Sequence, residues 1–273
     1  MSVQTPTKKL NAMSLANCRG ATPIVGLTAY TAPMAAAMDQ HVDFILVGDS
    51  LAMTIYGESS TVGVDLDTMI RHGRAVVRAC RHACVVVEMP FGSYQASPEQ
   101  VFHSAARILM ETGCDAVKLG GGAEMAETAA FLVQRGIPVM GHIGLTPQSI
   151  NTLGGFKTQG KDGAAVAKLV ADRKAIDQAG CFSIVIESVM EAAARQVIDA
   201  TGATTIGIGA SRAWDGQILI IDDIIGLFVA FKPKLVKRCA SVLSHIEAAI
   251  ETVARGVRER KYPSGEYLFG AGR

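Results

Sequence analysis

Charge is scarce in this 273-residue chain. Asp, Glu, Lys and Arg make up 19%, and 26 basic against 25 acidic residues leave a formal charge of +1. That balance gives no bulk electrostatic grip on nucleic acid, and it is not the composition of a disordered chain. Aromatics are scarcer still, at 5% with a single Trp, which excludes a base-stacking surface. No uncharged apolar run reaches 18 residues, so no membrane span is expected. The six cysteines (Cys18, Cys80, Cys84, Cys114, Cys181, Cys239) include no CxxC pair. Cys114 and Cys181 border apolar runs, as buried free thiols do, and this usage fits a reducing cytoplasm. Cys80, His82 and Cys84 resemble half of a metal site, but no further ligand stands at zinc spacing. The first twenty residues lack a secretory apolar core and read as an exposed lead-in.

Small and apolar residues are plentiful, at 28 Gly and 49% hydrophobic. They occur as short continuous runs at Pro23–Thr28, Phe44–Val47, Cys84–Met89, Ala116–Leu119, Pro138–His142, Ser183–Ser188, Thr205–Gly209 and Gln217–Ile221. Continuous rather than alternating apolarity marks strands buried on both faces. Gln217–Ile221 could equally begin a helix. Helical patterns separate the runs at Asp65–His82, Ser97–Glu111, Glu124–Arg135, Gly163–Ala179 and Met190–Thr201, with a further one at Ala240–Lys261. Ser97, Pro98 and Gln100 form a capping box with proline in the first turn. Strand–helix alternation over a length close to the about 250 residues of a (β/α)8 barrel predicts an α/β fold, a single-domain TIM barrel. A doubly wound sheet is the alternative. The expected division is a lead-in at 1–20, a barrel at 21–262 and a tail at 263–273. The basic run FKPKLVKR reads as a solvated face, a subunit contact or an anion site.

Polar residues follow almost every apolar run: Asp49 and Ser50, Glu88, Lys118, His142, Glu187, and Gly207 to Ser211. In a barrel these ends converge on one mouth, where catalytic residues collect. Asp49 and Glu88 are hard oxygen donors suited to Mg²⁺, unless one of them merely pairs with Lys118. Lys118 is a cation for an anionic substrate. Glu187 closes an apolar strand. Burial there would raise its pKa and suit it to proton abstraction, although a carboxylate bonded to backbone would look the same. His142 either bonds substrate or orients a loop. Together they point to metal-assisted carbon-acid chemistry on a small keto acid.

The segments LTAYTAPMA (27–35), ILVGDSLAMTIYG (45–57), EMPFGSY (88–94), DAVKL (115–119), GHIGLTPQSINTLGGFKTQG (141–160), IVIES (184–188), IGIGAS (206–211) and DGQILIIDD (215–223) resemble, in order, the ketopantoate hydroxymethyltransferase family. The resemblance implies a (β/α)8 barrel, Mg²⁺, 5,10-methylenetetrahydrofolate as co-substrate, and large homo-oligomers, commonly decamers. It implies that Asp49 and Glu88 are metal ligands, that Asp49, Ser50 and Lys118 touch the keto acid, and that Glu187 is the general base. Four positions depart from the family pattern. Glu88 stands for a usual Asp, Gly120 for a metal-site Glu, Thr31 for Asp, and Tyr267 for His. Two outcomes follow for the metal site: the longer Glu88 still reaches the ion, or the chain is a divergent relative. Such a relative would be a lyase or mutase on another 2-oxo acid, or an inactive keto-acid binder.

Overall fold

Strands apolar on both faces need a covered sheet, and a closed barrel provides one without leaving an edge. In the computed structural model, which describes residues 8–200, 202–229 and 233–270, eight parallel strands close in sequence order. They are β1 Ile24–Thr28, β2 Phe44–Val47, β3 Cys84–Glu88, β4 Ala116–Gly120, β5 Val139–Gly144, β6 Ser183–Glu187, β7 Thr204–Ile208 and β8 Gly216–Leu219. β1 pairs with β8 through Ile24 opposite Gly216, which completes the ring. Seven expected runs thus become strands. In the eighth, the strand occupies Gly216–Leu219 and Ile221 opens a short helix, so both readings of that segment were partly right.

The helices are α1 Ala12–Ala16, α2 Ala32–Met38, α3 Leu51–Thr54, α4 Leu66–Ala79, α5 Pro98–Thr112, α6 Ala126–Val133, α7 Ile150–Leu153, α8 Gly163–Gln178, α9 Glu191–Asp199, α10 Ile221–Ile224 and α11 Val242–Arg258. α5 begins at Ser97, which accepts from the Gln100 N–H; the Gln100 side chain reaches back to the Ala96 N–H rather than that of Ser97, so the box is half formed, and Gly113 closes the helix in the left-handed region. α4 stops at Cys80, so His82 lies in the turn before β3 and Cys84 in the strand itself. The Cys80/His82/Cys84 trio is therefore not gathered. Among the described residues, no group of three or more His, Cys, Asp or Glu could hold a metal. All six cysteines are free thiols.

The lead-in is not exposed throughout. Leu15 and Ala12 of α1 are buried, and they pack with Ile24, Phe44, Cys84, Ala116, Met140 and Val185. A single capped turn therefore closes the barrel's amino-terminal end. Lys9 fastens it by donating to the Ala83 carbonyl at 2.6 Å and to Asp115 at 2.8 Å.

The described residues divide into two compact units, one ending at Ile221 and holding all eight strands, the other beginning at Asp222. In the second, α11 buries none of its side chains, and Ile246, Ile250, Val253 and Val257 share one exposed face. The first seven residues, Thr201, Ala230, both Phe231 and Lys232 of the basic run, and the last three residues of the tail lie outside the described residues. No helix among the described residues is long and apolar enough to cross a membrane.

Candidate active site

Side chains of a strand alternate between faces, so residues two apart share one. Val86, Ala116, Met140 and Val185 belong to the apolar cluster that fills the barrel interior. Two residues further along each strand stand Glu88, Lys118, His142 and Glu187. The same alternation that directs the apolar layer inward directs these four inward one layer higher, at the carboxyl ends of the strands. Register links them: Glu88 is opposite Lys118, Gly120 opposite His142, and Glu187 opposite Gly144.

Glu88 and Lys118 form a buried ion pair, the arrangement the sequence left open as the alternative to a metal role. The second Glu88 oxygen accepts the Asp49 backbone N–H at 3.2 Å. Burial alone would raise the Glu88 pKa, but the charge and hydrogen bond of Lys118, with His142 and the Asp49 N–H, together outweigh it and hold the carboxyl below its usual range. Asp49 lies in the turn after β2. Burial, reinforced by the negative charge of Glu88, pushes it up to about 8 against the pull of Lys118. Gly48 permits this crowding, since a Cβ there would lie 2.9 Å from Ser50 Oγ and 3.4 Å from Glu88 Oε2. Ser50 heads α3 and its Oγ lies 2.8 Å from the Tyr30 hydroxyl.

His142 and Glu187 face one another, with His142 Nε2 3.2 Å from Glu187 Oε2. The geometry is off the line of a hydrogen bond, and Nε2 has no other partner. Burial, aided by Lys118, holds the imidazole neutral, with its pKa lowered to about 3. Burial raises Glu187 to about 8, against Lys118 and with help from Glu88. The contact is thus between two neutral groups near pH 7. Behind Glu187, Gly144 is obligatory: its φ is +93°, and a Cβ would lie 2.4 Å from the Glu187 carbonyl oxygen. Ser188 follows at φ +50°, an uncommon conformation for a side-chain-bearing residue, held by bonds from its N–H to Ile208 and from Gln159 to its carbonyl.

The cluster thus joins Asp49, Ser50, Glu88, Lys118, His142 and Glu187 on one barrel end. Beside Glu88 and His142 a cleft opens, lined by Phe91, Tyr94, Gly120, Met125, Thr146 and Gln148. Tyr94 and Gln148 escaped sequence reasoning because neither is charged and neither ends a strand, though both lie inside the quoted segments EMPFGSY and GHIGLTPQ.

Asp49 and Glu88 fit a divalent cation by the chemistry of their donors. They are two buried carboxylates; burial first, and then the charge of Glu88, raises Asp49, and a cation would offset both. Two hard oxygen ligands suffice where Mg²⁺ takes its remaining positions from water and substrate.

A closed parallel barrel with buried acid, base and cation at its carboxyl mouth defines a (β/α)8-barrel enzyme. The ketopantoate hydroxymethyltransferase family model matches residues 8–265. The chain is 55% identical over 269 residues to the 3-methyl-2-oxobutanoate hydroxymethyltransferase of Sinorhizobium medicae, covering 98% of both. It is 52% identical over 271 residues to that of Brucella suis, covering 99% of this chain and 98% of the relative. The chain belongs to the ketopantoate hydroxymethyltransferase family. Among solved structures, 2,3-dimethylmalate lyase of the PEP mutase/isocitrate lyase superfamily shares the fold at TM-score 0.57 and 15% identity, covering 97% of this chain and 93% of that one. Phosphonopyruvate hydrolase does so at TM-score 0.62 and 11% identity, covering 96% and 92%.

Proposed function

We propose that this enzyme transfers a hydroxymethyl group from 5,10-methylenetetrahydrofolate to C3 of 3-methyl-2-oxobutanoate, giving 2-dehydropantoate for pantothenate synthesis in the cytoplasm. Glu187 carries the reading. It is a half-buried carboxyl with its pKa raised to about 8, with no backbone bond to its oxygens among the described residues, and it is set beside a neutral histidine. A base matched to ambient pH is what removal of a weakly acidic C–H proton requires.

Asp49 and Glu88 would hold Mg²⁺, which when bound supplies Lewis-acid charge that acidifies the proton next to a chelated ketone. Lys118 and Ser50, with the Asp49 turn, receive the substrate carboxylate. In its ionised form, which a pKa of about 8 keeps accessible, Glu187 takes the C3 proton while His142 holds one side of the keto acid. The carbon nucleophile so formed attacks the one-carbon unit of the folate, and water completes release of the hydroxymethyl product and tetrahydrofolate. The exposed apolar face of α11 supports assembly with further copies of the chain into a homo-oligomer.

One observation favours the competing reading of a divergent relative: β4 ends in Gly120, with no third carboxylate for the ion. Incubation with both substrates and Mg²⁺ separates the two. Folate-dependent formation of 2-dehydropantoate is expected. Binding of the keto acid without turnover would leave only the binder, and folate-independent turnover of another 2-oxo acid would point to a lyase or mutase.

A further inference from the structure

Gln148 lies on the loop after β5, just behind Pro147, and is neither charged nor at a strand end. Its side-chain amide is nevertheless fully engaged. Nε2 donates to Asp49 Oδ2 at 2.9 Å and to the Met89 carbonyl at 2.9 Å. Oε1 accepts from the Tyr94 hydroxyl at 2.7 Å. Tyr94 in turn accepts the Gly120 N–H at 3.3 Å. Segments following β2, β3 and β5 therefore meet at this amide, and the last residue of β4 joins them through Tyr94.

The network has a direction. Were the amide reversed, Oε1 would face the Met89 carbonyl, two acceptors with no proton between them, and would oppose the Asp49 carboxylate in the ionised form that holds a cation. The Tyr94 hydroxyl accepts the Gly120 N–H, and its proton lies closer to Gln148 Oε1, at 2.7 Å, than to the Gly120 carbonyl, at 3.2 Å. Tyr94 thus fixes which way Gln148 points, and Gln148 fixes one oxygen of Asp49.

We infer that Gln148 is a positioning residue for Asp49, and that Tyr94 acts on Asp49 only through Gln148. Holding Oδ2 leaves the other carboxylate oxygen of Asp49 for a cation, so the inference rests on the metal reading above. It assigns to two uncharged loop residues the orientation of a ligand that neither touches as a ligand. Partners of this kind commonly govern about 10–100-fold of metal affinity.

The test is Mn²⁺ affinity measured by electron paramagnetic resonance, without substrate, on the full chain. Wild type, Gln148→Met, Tyr94→Phe and the double variant are compared, with circular dichroism as the check of folding. Gln148→Met keeps length and removes every bond, and Tyr94→Phe removes a single oxygen. The expected result is about 10–100-fold weaker binding in Gln148→Met, a smaller loss in Tyr94→Phe, and a double variant no worse than Gln148→Met alone. Additive losses would show that Tyr94 does not work through Gln148 and overturn the inference. Wild-type affinity in Gln148→Met would overturn it while leaving the metal reading intact. Absence of Mn²⁺ binding in the wild type would overturn the metal reading, and this inference with it.

Discussion

Lys118 and Glu88 stand opposite one another in the β3–β4 register, and their side chains close a buried ion pair at the barrel mouth. The pair is the electrostatic hinge of the site. Lys118 keeps Glu88 ionised, ionised Glu88 raises Asp49, and Lys118 opposes protonation of His142.

Removing one partner of such a pair strands the other without water or counter-charge. Lys118→Met is therefore expected to destabilise the protein by about 3–5 kcal/mol, and adding Glu88→Gln should recover part of that loss. Urea unfolding of the two variants checks it. A Lys118→Met protein as stable as wild type would mean that Glu88 is protonated or solvated in the fold.

Glu187 couples stability to pH with an uncommon sign. A carboxyl in the unfolded chain titrates near about 4.3, whereas in the fold Glu187 is raised to about 8 by burial. Between those values the folded state holds the extra proton, so the contribution of Glu187 to stability is present at low pH and lost as pH rises through 8. The metal-free Glu187→Gln variant should gain in melting temperature over wild type as pH climbs from 5 to 8.5. A difference constant with pH would contradict the raised pKa.

Gly120 closes β4 beside the cluster, and a Cβ there would meet Thr146 Cγ2 and the Tyr94 hydroxyl at 3.6 Å and His142 Nδ1 at 3.9 Å, ordinary contact distances. Gly120→Glu is expected to fit and to tighten Mg²⁺ binding by about 10–100-fold, a span typical of groups that act on a bound metal. Isothermal titration with Mg²⁺ reads this directly. Unchanged affinity would place the position outside the metal's reach.

At the opposite end of the barrel, Leu15 is buried to 1% exposure against the interior layer. Leu15→Ala should cost about 2–5 kcal/mol of stability while leaving kcat near its wild-type value. A drop in kcat without loss of stability would show that the plug acts on the site rather than on the fold.

The barrel was legible because parallel strands must be apolar on both faces, and runs such as CVVVE and SIVIE announce that burial without any tertiary knowledge. The residues of the site were legible for the complementary reason: a charge at the end of an apolar run has no place in packing. α1 was illegible because one turn holding Leu15 shows no helical period; its burial comes from the barrel end it fills. The Glu88–Lys118 pairing depended on register, which spacing along the chain does not encode. Gln148 and Tyr94 were hidden because an uncharged side chain on a loop reveals its partners only when four segments are brought together.

The account turns on Glu187 as the base for a metal-assisted proton abstraction, and deuterium wash-in at C3 of 3-methyl-2-oxobutanoate, followed by NMR with and without Mg²⁺, tests it most directly. The expected result is Mg²⁺-dependent exchange in wild type and none in Glu187→Gln, with keto-acid binding retained. Undiminished exchange in Glu187→Gln, or equal exchange without metal, would contradict it.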